Sequence, residues 1–158
     1  MCGPDNSNRP RGGALAVLSP FSSNLGARLR SLSADLAFHT PGSPNSVGAT
    51  HARLTLSDHY DMTSLSNLHV VIHSTGDLRS SICDSGLFRQ FTIPAATPSA
   101  QRQYVELPLD TPLSIEVGHD GIIGRRVSLC SGPIPSPENT VAQGIVGFNF
   151  LSHPSASF

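Results

Sequence analysis

Apolar residues return at every second position in short runs bounded by glycine and proline, and this rhythm limits the fold more than any other feature of the chain. In an extended strand such alternation buries one face and exposes the other, whereas a helix needs spacings of three and four. Leu54 and Leu56 alternate with Arg53, Thr55 and Ser57, and Leu68, Val70 and Ile72 alternate with His69, Val71 and His73. Val105, Leu107 and Leu109 oppose Tyr104, Glu106 and Pro108, where the proline suits an edge strand. Leu113, Ile115 and Val117 precede the turn residues Gly118-His119-Asp120-Gly121, after which Ile123, Val127 and Leu129 resume the pattern opposite Arg126, Ser128 and Cys130. That stretch predicts a hairpin.

Shorter strands are expected over Ala14–Leu18, ended by Pro20, over Phe88–Ile93, cut by Pro94, and over Gly144–Leu151 after the proline-rich loop Gly132–Pro137. One segment reads two ways. Leu25, Leu29, Leu32 and Leu36 would line one side of a helix over residues 25–36, with Asn24 as its cap. Leu32, Ala34, Leu36 and Phe38 equally alternate as a strand. We expect the helix, followed by a loop over Thr40–Gly48. Seven or eight short strands with at most one sizeable helix predict a mainly β fold, either a single-domain antiparallel β-sandwich, including a jelly-roll, or a closed β-barrel. Residues 1–13 read as an irregular N-terminal arm, 14–151 as one β-rich domain and 152–158 as a short C-terminal tail. At 158 residues one domain is the expected size.

Composition enters through the surface such strands must show to water. Asp, Glu, Lys and Arg total 13%, about half of the roughly 25% of an ordinary soluble domain. Serine, at 23 positions, makes up much of the deficit. Weak long-range repulsion between copies favours self-association or a place in an assembly. The chain is lysine-free, which excludes Schiff-base chemistry and removes the lysine that a phosphate-binding loop needs. Arg9, Arg11, Arg28 and Arg30 gather near one end and could touch an acidic partner or a few phosphates, but they lack the density of a nucleic-acid arm. No apolar run approaches the roughly 20 residues of a membrane-spanning helix, so a soluble protein is expected. Met1–Pro10 is too polar for the apolar stretch of a secretion signal. Cys2, Cys83 and Cys130 form no Cys-x-x-Cys pair, and an odd count suits free thiols in a reducing, intracellular setting, with a Cys83–Cys130 bridge as the alternative.

Histidine is the reactive type in quantity, with seven copies. Asp58-His59-Tyr60-Asp61 sets carboxylates beside an imidazole, and His59, Tyr60 and Asp61 are the candidate catalytic residues for proton transfer. Zinc or another divalent ion is the alternative use, drawing ligands from His59, Asp61, His69, His73 and His119 in some subset. His69 and His73 share a strand face with Val71 between them, roughly 13 Å apart along an extended chain, too far to hold one ion unaided. Nucleophile-elbow and zinc-protease motifs do not occur, and two tyrosines with no tryptophan offer little for stacking sugars or bases. No cofactor is expected on these grounds. The pattern favours a noncatalytic β-sheet module that makes protein contacts, such as a subunit of a shell or larger assembly. The alternatives are a small β enzyme with a His/Asp site (isomerase, cyclase, lyase or hydrolase) and a small-ligand-binding domain.

Overall fold

The computed structural model describes residues 12–20, 33–43, 45–56, 68–93, 104–118, 120–136 and 139–149. Nine strands dominate them: β1 Ala14–Pro20, β2 Ala34–His39, β3 Gly48–Leu56, β4 Leu68–Ile72, β5 Arg89–Ile93, β6 Tyr104–Val117, β7 Gly121–Ile123, β8 Arg126–Cys130 and β9 Thr140–Phe148. The only helical turn among the described residues is a short 3-10 segment, Ile82–Asp84. The strands form one mixed sheet in the order β5-β4-β8-β9-β1-β2-β3-β6-β7. That order is linear, so the expected closed barrel is corrected: among the described residues the sheet has two ends, β5 and β7.

The two-residue rhythm decides which side chains go inside. Ala14, Ala16 and Leu18 of β1, Leu36 and Phe38 of β2, Val70 and Ile72 of β4, and Val127 and Leu129 of β8 all enter one core. In β3 the inward set runs Ala49, Ala52, Leu54 and Leu56, and the change of parity coincides with a register irregularity between Ala49 and His51 where β3 meets β6. Two steps on β3 there face five on β6, from Leu113 to Pro108, so the extra residues sit in β6 and β3 resumes its apolar face on the other parity.

Two further expectations differ from the structure where it is described. Ala34–Leu36, the end of the predicted helix, lie in β2, pairing with β1 and β3, so alternation prevails there over the 3.6 period. Packing between two ready strands buries both sides of this segment, including Ala37 at 2% exposure, which a lone amphipathic helix would not offer. Leu25–Leu32 lie outside the described residues. The predicted hairpin also differs. Its extended segments exist, but β8 pairs antiparallel with β4 and β9, not with β6. The chain after the turn touches β6 only through β7, in parallel and with irregular register. Gly121 permits that approach, since a Cβ there would collide with the Glu116 carbonyl. Leu107–Leu113 does not break either: β6 runs through Pro108 and Pro112 as one strand of 14 residues.

The position of β7 and β8 forces the sheet to curl. In a flat sheet, the six strand-to-strand steps from β8 to β7 would span roughly 29 Å. Only Gly124 and Arg125 separate them in sequence, and the three Cα steps from Ile123 to Arg126 reach at most about 11 Å. Gly124, at φ +88°, makes the corner, and its N–H donates to the Val146 carbonyl of β9 while Arg125 accepts from Val146 N–H. Curling brings β5 across to β2, where the Phe91 and Phe38 rings meet edge to face with centroids 6.4 Å apart.

Candidate functional site

Strand β8 buries both its faces. Its core face carries Val127 and Leu129; on the opposite face the chain between β4 and β5 closes over Arg126 and Ser128, and Cys130 lies against Thr140. Arg126 holds that cover in place. Its Nη1 donates to the Ser80 carbonyl (2.9 Å), Ser85 Oγ (2.9 Å) and the Asp77 carbonyl (3.3 Å), while Nε and Nη2 both donate to Gln143 Oε1 at 3.1 and 2.6 Å. A rigid guanidinium suits this because its donors point in fixed directions at several carbonyls at once.

Beside it, His73 is fully buried. Its Nδ1 lies 2.9 Å from the Gly86 carbonyl, which can only accept, so Nδ1 carries the proton and Nε2 accepts from Ser128 Oγ at 2.8 Å. Burial, followed by the charge of Arg126, lowers the pKa of the ring below its ordinary value, against a raising influence from the Gly86 bond. A serine hydroxyl on an imidazole is the arrangement of an activated nucleophile. Here Ser128 has no exposed surface, and the pair ties β4, β8 and the covering loop together.

A second polar group lies on the outer side of β2, β3 and β6. His39 Nε2 donates to Glu106 Oε1 at 3.0 Å, and Arg53 Nε donates to the same oxygen at 2.8 Å. Burial of Glu106 raises its carboxyl pKa, but the bonds from Arg53 and His39 outweigh that and hold it below the ordinary value. Burial lowers His39, with the Glu106 bond pulling partly the other way. The Arg53 guanidinium also lies 4.2 Å over the Tyr104 ring. These strand-to-strand links clamp β2 to β6 across β3.

The third feature is the free side of β5. Arg89–Ile93 pairs with β4 in unbroken antiparallel register, Leu68 opposite Ile93 through Ile72 opposite Arg89, and no described strand lies beyond it. Phe91 and Ile93 pack toward the core, while Arg89, Gln90 and Thr92 are exposed. Gln90 Nε2 donates to the Pro133 carbonyl of the β8–β9 loop at 2.7 Å and Thr92 Oγ1 lies 3.3 Å from Nδ1 of its cross-strand neighbour His69, so the strand is held at both. Exposed apolar side chains flank it: Leu87 just ahead of the strand, 59% exposed, and Ile134 beside Pro133, 75% exposed.

Of the residues singled out from sequence, His59, Tyr60, Asp61 and His119 lie outside the described residues, as do Arg9, Arg11, Arg28 and Arg30. His69 and His73 do lie on one side of β4, with Leu68, Val70 and Ile72 on the other. His73 is engaged through both nitrogens, and no three His, Cys, Asp or Glu side chains converge among the described residues. Cys83 and Cys130 are both free thiols, the first exposed and the second buried. Arg126 and β5 were not singled out by sequence. The adjacent pair Arg125-Arg126 inside an alternating run was the available signal, since neighbours in a strand must point to opposite faces. No helix of the described residues is long and apolar enough to cross a membrane. No protein-family model matches this chain, and no curated protein is similar enough in sequence to be counted a relative.

Proposed function

We propose that this chain is a noncatalytic β-sheet interaction module that accepts an extended polypeptide segment along the open side of β5. The observation that carries the reading is that five-residue edge, unbroken in register and free of proline, with alternate backbone groups directed away from β4. Its side chains Gln90 and Thr92 are already held, by the β8–β9 loop and by β4, so little conformational freedom remains to be lost on pairing. The chemically capable groups elsewhere support the same reading: Arg126, His73 and Ser128 direct their hydrogen bonds inward, to other parts of the fold. The curled sheet is read as a sandwich-like frame in which β5 packs over β2 through Phe91 and Phe38.

Amide hydrogen exchange tests this. In the associated state, the outward amides of residues 89–93 should slow relative to the dilute chain, while those of solvent-facing turns such as Thr40–Ser43 stay unchanged. Association that leaves exchange along β5 unaltered overturns the edge as the binding element.

A further inference from the structure

We infer that the segment added to β5 is the β5 of a second copy, antiparallel and related by a two-fold axis through Phe91. The inference rests on the edge reading above and names its partner.

The molecule treats the open sides of β5 and β6 differently. β7 covers only the end of β6, so from Tyr104 to Leu113 that side of β6 carries no strand among the described residues. Pro108 and Pro112, which have no N–H, and the charged Asp110 interrupt it. Such residues blunt an edge against further pairing. β5 has no proline and no bulge in its register on β4, and its single charge, Arg89, stands at the end of the strand.

The order of those five residues suits self-pairing. About Phe91, an antiparallel copy sets Arg89 against Ile93, Gln90 against Thr92 and Phe91 against Phe91. No charge faces a like charge, the amide of Gln90 meets the hydroxyl of Thr92 on the outer face, and the two aromatic rings meet on the inner one. A parallel, in-register pair would stack Arg89 on Arg89 instead. About four to six backbone hydrogen bonds would close the ladder. Leu87, exposed and directly ahead of the strand, is available to be covered by the second copy, and a net charge of −1 puts little repulsion between copies.

Sedimentation equilibrium over a concentration series provides the test. The wild-type chain should pass from monomer to dimer. Gln90→Lys with Thr92→Lys sets ammonium groups opposite one another twice per dimer and should raise the dissociation constant at least about tenfold. Gln90→Glu with Thr92→Glu should do the same. Mixing the lysine and glutamate chains should restore a one-to-one heterodimer, which also shows that both variants remain folded. Val17→Lys, on the exposed side of β1, should leave the wild-type equilibrium unchanged. A dimer insensitive to both charge variants, or a mixture that stays monomeric, overturns the pairing. A chain that is monomeric at every concentration also overturns it. In that case the broader edge reading survives if an unrelated extended peptide slows the amides of residues 89–93, and falls if it does not.

Discussion

At the scale of single residues, the chain places its most polar side chains where they join strands and loops. Arg126 is 1% exposed and gives its donors to carbonyls, a serine and a glutamine. Arg126→Met keeps the bulk but leaves Ser85 and Gln143 without their donor, and should destabilise the fold by about 2–4 kcal/mol in urea unfolding. Faster amide exchange over Asp77–Ser85 should accompany it, because the guanidinium is what anchors that loop to β8. His39 and His73 supply a pH dependence. Burial holds both rings below the ordinary value of 6.5, so as pH falls the unfolded chain binds protons before the folded one. Their contribution to stability is complete above about pH 6.5 and is lost as pH drops from there through the lowered folded values. Glu106, also lowered, adds stability that is present above its ordinary value of 4.5 and lost below it. The urea midpoint should therefore hold from pH 7.5 to about pH 6.5 and fall from there to pH 4, and His73→Gln should flatten the upper part of that fall. A midpoint that rises on acidification would contradict the neutral assignment of both rings.

At the scale of elements, β6 shows what a strand needs when one side stays open. Its inward residues Val105, Leu107, Leu109, Leu113 and Ile115 keep a single parity across 14 residues, so the two prolines do not break the strand. Their effect is on the free side. Pro108→Thr with Pro112→Thr adds two N–H groups and two β-formers to that side without touching the core. The double variant should retain the unfolding midpoint to within about 1 kcal/mol yet scatter light at concentrations where the wild-type chain stays clear. Most strands were legible from alternation because each has an apolar inner face. β2 was not, since Leu32 and Leu36 satisfy both periods, and only the flanking strands β1 and β3 select extension for Ala34–His39. Likewise, the turn Gly118–Gly121 was legible while its consequence was not: glycines permit a reversal without specifying which strand the chain joins afterwards.

At the scale of the whole molecule, a linear strand order becomes one core because the corner at Gly124 and Arg125 returns the sheet upon itself. β2 and β5 stand five places apart in that order, yet Phe38 and Phe91 touch. A double-mutant cycle with Phe38→Leu and Phe91→Leu should give a coupling of about 0.5–1.5 kcal/mol. Strict additivity would mean that the two parts of the sheet do not share a core in solution. Curling also gives β8 two buried faces, which is why Arg126 and Ser128, in positions that alternation assigns to solvent, are enclosed instead.

The amino-acid sequence alone determined the strand content, the inward parity of most strands, the shared face of His69 and His73, and the edge character of Pro108. These follow from short-range physics: a two-residue period, the conformational freedom of glycine and the missing N–H of proline. Tertiary structure alone decided which strands pair, that a polar face is buried around Arg126, and that among the described residues the sheet curls without closing and β5 lies at an end. Pairing joins residues far apart in the chain, and a strand's hydrogen-bonding groups are the same whatever its side chains, so nothing local distinguishes an edge from a centre.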